Sequence, residues 1–164
     1  MTFYKTKVPV IWDSTFKLFN YKDDPITGPQ QDEWRALGYN HDRTYGAMYG
    51  YPNKMPDWVE YVSEQLNLKN CGYVFYKMKT LDIMPIHVDH YKKYCEVFDV
   101  DYEQVCRAVI FLEDWQSGHY FEINKTAIVN WSAGDTIVWQ GDVPHSASNI
   151  GIADRYTLQI TGVR

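Results

Sequence analysis

Cysteine is scarce in this chain: Cys71, Cys95 and Cys106 stand alone among 164 residues, and no two form a Cys-x-x-Cys pair. An odd count without paired spacing argues against a disulfide framework and leaves three reduced thiols as the expectation. A zinc site of Cys95 with His87 and His90 can be written down, but its spacing matches no structural zinc pattern. Positive charge is in deficit, with 16 Lys and Arg against 21 Asp and Glu and a formal net charge of −5, so no basic footprint points to nucleic acid. No apolar run approaches the roughly 20 residues of a membrane-spanning helix. A charged flank followed by a hydrophobic stretch is missing from the amino terminus. Internal repeats and low-complexity tracts are absent as well. The expectation is a cytoplasmic protein with neither membrane nor nucleic acid as partner.

Bulky apolar residues are abundant. Hydrophobic residues make up 45% of the chain, with 14 Tyr, 7 Phe and 6 Trp, a density that suits a sheet-rich core around an aromatic-lined cavity. The length fits one domain spanning residues 1–164. Residues 1–71 are read as support for a β core over 72–164. Within the support, Val8 to Trp12 is a short apolar stretch, and Lys22-Asp-Asp-Pro25 and Thr27-Gly-Pro29 are turn-prone. These first fifty residues are irregular and are expected to wrap the core or cover its open end. Pro56 to Leu66 reads as a helix, with a proline near its start and Trp58, Val59, Val62 and Leu66 on one stripe.

From residue 72 the pattern changes to short strands parted by turns. The expected strands are 73–79, 83–89, 106–112, 119–123, 126–131, 135–139, 144–149 and 155–162, the eight that a jelly roll requires. The segment Tyr91 to Glu103 is mixed and charged, and is read as a loop or short helix over the functional site.

His87-Val-Asp89, followed much later by His145 in Asp142-Val-Pro-His and then by Arg155, is the pattern that bears most on function. Two imidazoles and a carboxylate are the ligand set of a non-haem iron(II) site that keeps one face of the metal open. In an extended strand residues 87 and 89 point to the same side. Pro85, Ile83, Ile86 and Val88 place the pair on a strand entering a core, where an unpaired carboxylate is costly and a cation relieves the cost. His145 follows the strand Thr136-Ile-Val-Trp139 and the turn Gly141-Asp-Val-Pro144. His119, in Ser117-Gly-His-Tyr-Phe121, competes as distal ligand but has no arginine at a comparable distance downstream.

This order resembles the 2-oxoglutarate and iron(II) dependent oxygenases. The resemblance is carried by Met84-Pro-Ile-His-Val-Asp89, Trp131-Ser-Ala-Gly-Asp-Thr-Ile-Val-Trp139, Pro144-His-Ser-Ala-Ser-Asn149 and Arg155-Tyr-Thr157, and it covers about residues 72–164. Among the members, the prolyl and aspartyl hydroxylases look most similar. It implies a mainly β fold, a double-stranded β-helix (cupin-like jelly roll) with a helix and irregular segments before it. It also implies iron(II) on His87, Asp89 and His145, with 2-oxoglutarate and O2 as co-substrates and succinate and CO2 as co-products. Arg155 would hold the far carboxylate of 2-oxoglutarate, since its planar fork can make two parallel charged hydrogen bonds. Thr157, on the same strand parity, and Tyr76 are further candidate donors to the co-substrate. An ion pair with Asp154 is the plainer reading of Arg155.

Halogenating relatives replace the ligand carboxylate by a small residue, so the presence of Asp89 favours hydroxylation, or desaturation, of a C–H bond. The substrate is read as a small molecule or a peptidyl or free amino acid. His90, Tyr91, Arg107, Trp115, His119 and Trp139 are candidates to line the entrance. Three roles for Arg107 stay open: a substrate carboxylate, the sheet itself, or 2-oxoglutarate. The alternative reading is a cupin-like metal-binding protein, an isomerase or ligand-binding module without 2-oxoglutarate turnover, which predicts three or four histidines clustered on adjacent strands.

Overall fold

The computed structural model describes residues 3–23, 28–39 and 45–164. Asp24, Pro25 and Thr27 of the expected turns lie outside the described residues. The strands are β1 (Phe3–Lys7), β2 (Lys22–Asp23), β3 (Ala47–Gly50), β4 (Lys69–Met78), β5 (Ile83–His87), β6 (Val105–Phe111), β7 (His119–Ile123), β8 (Thr126–Ile128), β9 (Asp135–Gln140), β10 (His145–Asn149) and β11 (Arg155–Val163). Among the described residues three short α-helices accompany them, α1 (Pro29–Ala36), α2 (Trp58–Gln65) and α3 (Lys92–Phe98), with 3-10 turns at Ser14–Leu18 and Tyr102–Gln104. None of the described helices is long and apolar enough to cross a membrane.

The strands form two antiparallel sheets. One has the order β1-β9-β6-β11-β4-β3-β2 and the other β5-β10-β7-β8. The strands from β4 onward divide equally between them, which is the double-stranded β-helix. β1, β2 and β3 extend the larger sheet at its two edges, within a region expected to be irregular. Their segments are short and half exposed, so alternation carries little signal there, and long-range pairing decides. Expected boundaries shift elsewhere: the strand expected over 126–131 stops at Ile128, and Asn130 follows in the left-handed region at φ 56°.

Burial follows strand parity. On β7, His119, Phe121 and Ile123 point inward and Tyr120 and Glu122 outward. The central strands β6 and β11 are buried on both faces, as strands covered from both sides must be. One apolar cluster lies on the outer face of the larger sheet, where Ala108, Ile110, Leu158 and Ile160 meet Val8, Trp12 and Phe16 from the amino-terminal segment and Val59, Val62 and Leu66 from α2 and its C-cap. Burying each of the three aliphatic side chains from 59 to 66 contributes about 1.5–3 kcal/mol. The second cluster, built on Phe111, Phe121, Ile123, Trp131, Ile137 and Trp139, fills one end of the space between the sheets. A cavity occupies the other end.

Candidate metal centre

His87 closes β5 and His145 opens β10, and the two are direct cross-strand partners with ring centroids 4.3 Å apart. Each ring is tethered the same way. His87 Nδ1 lies 2.7 Å from the Pro85 carbonyl and His145 Nδ1 lies 2.9 Å from the Val143 carbonyl. A carbonyl only accepts, so both Nδ1 atoms carry the proton and both Nε2 lone pairs are left to bind a cation. Burial pushes both imidazoles down, His145 to about 4 against the opposing charge of Asp89. They are neutral at pH 7, the form that ligates metal.

Asp89 completes the set by a different route from the one expected. β5 ends at His87, so Asp89 sits beyond the strand and cannot owe its place to strand alternation. Its seat is made by neighbours: Arg107 Nε donates to Oδ2 at 3.0 Å and the Tyr91 hydroxyl donates to Oδ2 at 3.1 Å. Asp89 Oδ1 stands 3.9 Å from His87 Nε2, and Oδ2 stands 3.7 Å from His145 Nε2. One ligand atom from each residue lies within 4.8 Å of the others, a group able to hold a metal ion. Burial raises the Asp89 carboxyl, but the charge of Arg107, joined in acid by that of protonated His145, outweighs it and holds the group well below the usual carboxylate range.

The group opens into a cavity of about 310 Å³, at the lower end of the range for small-ligand sites. Arg155 lies in its wall at 4% exposure. The Asp154 pairing weighed for it is not made: Asp154 is 2.8 Å from Lys77 Nζ. The guanidinium instead meets Met78 Sδ at 3.2 Å and the rings of Phe111, Phe121 and Trp131 at 5.5–5.8 Å. Its Nε is buried with no hydrogen-bond partner. Burial without a carboxylate pushes Arg155 down to about 10, against the pull of Tyr76. The second buried donor without a partner among the described residues is Trp139 Nε1, and Trp139 lines the same cavity. Buried donors are satisfied in nearly all proteins, and here both unpaired donors belong to residues that line one cavity.

Thr157 and Tyr76 face the cavity as direct partners across β11 and β4. The Tyr76 hydroxyl donates to the Tyr45 carbonyl at 3.1 Å. Gly46, at φ +145°, makes room for that ring: a Cβ there would stand 2.4 Å from it.

Other expected residues fall into separate roles. Arg107 and Trp139 line the cavity, and exposed His90 stands at its mouth. Tyr91 is buried against Asp89. His119 stands outside the candidate metal group. Its Nε2 lies 2.8 Å from the Ala153 carbonyl, and its own carbonyl accepts from Trp115 Nε1 at 2.8 Å. Cys95, on α3, stands outside the ligand group, as does His90. Sequence reasoning missed Trp34. It is the one buried residue of α1, its Nε1 donates to the Ile86 carbonyl at 3.2 Å, and its ring meets His87 edge-on at 5.6 Å. A lone tryptophan on a polar helix gave no sign of that contact.

No protein-family model matches the chain, and no curated protein matches it either. Among solved structures it is similar to a prolyl-4-hydroxylase from Pseudomonas putida, with a TM-score of 0.61 and 15% identity over 99% of this chain and 92% of the other. It is also similar to KdgF from a Halomonas species, at a TM-score of 0.46 and 12% identity over 76% and 84% of the two chains. A predicted oxalate decarboxylase from Thermotoga maritima matches at a TM-score of 0.45 and 14% identity over 73% and 81%. At these identities the first likeness establishes the double-stranded β-helix fold and nothing finer.

Proposed function

We propose that the protein is a 2-oxoglutarate and iron(II) dependent dioxygenase that hydroxylates a C–H bond of a peptidyl or free amino acid or another small substrate. Arg155 is the observation that carries this reading. A guanidinium buried among three aromatic rings, with no carboxylate partner among the described residues, is destabilising as it stands and calls for an anion supplied from outside. A dicarboxylate reaching from the metal group to Arg155 answers that need. The ligand types also fit iron(II): two neutral imidazoles and one ionised carboxylate leave an open face.

In this reading His87 and His145 bind iron through Nε2 and Asp89 through its carboxylate. Iron held there would activate O2, the oxidant, with one oxygen atom going to the substrate C–H bond and the other to the succinate that forms with CO2 from 2-oxoglutarate. Arg155 receives the distal carboxylate in a two-point charged hydrogen bond, and Thr157 adds a hydroxyl beside it. Tyr76 walls that end of the cavity. The rings of Phe121 and Trp139 exclude water from the same space.

Thermal denaturation tests the reading without knowledge of the substrate. Mn(II), as a stand-in for iron(II), and 2-oxoglutarate together should raise Tm beyond the effect of either alone. The added shift should vanish in Arg155→Ala. No shift from 2-oxoglutarate in the metal-loaded protein overturns the reading.

A further inference from the structure

The carboxylate of the candidate metal group is shared with a half-buried cation, Arg107. Arg107 uses Nε on Asp89 Oδ2 at 3.0 Å and Nη1 on the Thr161 hydroxyl at 2.8 Å, and its guanidinium lies 5.6 Å from the ring centroid of Tyr91. Tyr91 donates to the same Oδ2, while the Tyr102 hydroxyl, 3.2 Å from the Asp89 backbone carbonyl, has the Asp142 carboxylate as its nearer acceptor. Asp89 has no strand to orient it, since β5 ends two residues earlier. Among the described residues, the side-chain hydrogen bonds that fix its carboxylate come from Arg107 on β6, itself pinned to β11 through Thr161, and from Tyr91 at the start of α3.

We infer that Arg107 and Tyr91 are a positioning pair, which sets Asp89 at the metal group before any cation arrives and makes tight divalent binding depend on that setting. The inference rests on the proposed ligand role of Asp89. Two opposing effects of Arg107 decide its worth. Its positive charge repels a dication bound to the same carboxylate. Its two anchored hydrogen bonds remove the entropy that a loop aspartate would lose on binding. The geometry says the second wins: a mere counter-charge needs no pin to Thr161 and no phenol on the same oxygen. A lysine cannot replace the fork, because an ammonium is a point charge without the planar spacing that reaches Asp89 and Thr161 together.

Co(II) provides the test, read by competition against a chelator and by its visible absorption. Wild-type protein should bind Co(II), and His87→Ala should abolish that binding. Arg107→Lys, which keeps the charge and loses the fork, should weaken Co(II) binding about tenfold or more and alter the visible bands, which report coordination geometry. Arg107→Gln should weaken it as well. Tyr91→Phe keeps the ring and the ion pair, so it should fold normally and show a smaller loss in the same direction. Wild-type affinity in Arg107→Lys together with tighter binding in Arg107→Gln overturns the inference, because Arg107 then only repels the metal. Unchanged affinity in both variants, with lowered Tm, also overturns it and makes the network structural. If wild-type protein binds no Co(II), or binds it equally in His87→Ala, the ligand assignment fails and the inference falls with it.

Discussion

Arg155 stands opposite Met78 in the register of β11 and β4, and its Nη1 points at the thioether sulfur from 3.2 Å. Sulfur is a weak acceptor, so the contact compensates little of the guanidinium's lost hydration. A residue kept at such a disadvantage predicts opposite effects on stability and on binding. Arg155→Met should leave the ligand-free protein as stable as wild type or more so, since an unpaired buried charge is removed. The same variant should bind 2-oxoglutarate about 100-fold more weakly, the value of two charge-assisted hydrogen bonds. Denaturant unfolding and titration calorimetry on the Mn(II)-loaded protein measure the two. Lower stability with unchanged binding would falsify this account of Arg155.

The two histidines of the candidate metal group predict an acid limit. Both are lowered by burial, His145 to about 4, while an unfolded histidine titrates near its ordinary value of 6.5. Between those values the unfolded chain takes up protons that the native chain refuses, so stability falls as pH drops from about 6.5 towards 4. The metal-free protein should show this decline in urea unfolding from pH 7 to pH 4.5. His145→Ala should flatten it. A curve unchanged by that substitution contradicts the assignment.

His119 and His145 are both buried and on adjacent strands, yet their substitutions should differ in kind. His145→Ala should abolish divalent metal binding with the fold retained. His119→Ala removes the bond to the Ala153 carbonyl and leaves a void, at about 1–3 kcal/mol, and should leave metal affinity within about twofold. Chelator competition and thermal unfolding separate the two.

Gly46 predicts a packing effect at a distance from the metal. Gly46→Val must place a β-branched residue at φ +145° and drive its Cβ into the Tyr76 ring. Such a position costs of order 1–3 kcal/mol before the clash is added. Tm should fall, and 2-oxoglutarate binding should weaken while metal affinity holds, since Tyr76 walls the Arg155 end of the cavity.

The sequence was most informative where strand alternation and turn residues act together. β7 lies at its expected bounds because buried His119, Phe121 and Ile123 alternate with Tyr120 and Glu122, and α2 falls inside its expected range because Val59, Val62 and Leu66 repeat at helical spacing. The early strands were hidden because each owes its existence to an edge of a distant strand: β1 lies on β9 and β3 on β4. At the site, the convergence of His87, Asp89 and His145 was legible as a set of ligand types. The way Asp89 is held was not. Strand parity does not bring Asp89 beside His87, because β5 ends before it and its support comes from Arg107 on another sheet. Local pattern carries no information about such a contact, which is why three roles for Arg107 remained open until the fold placed it.

The most direct test of the account is anaerobic titration of the protein with iron(II) and 2-oxoglutarate, watching for the visible charge-transfer band of the chelated complex. The account predicts a band that requires both additions, disappears in His87→Ala and needs much higher 2-oxoglutarate in Arg155→Met. Iron bound with no such band at saturating 2-oxoglutarate would contradict it and make the protein a metal-binding cupin of another kind.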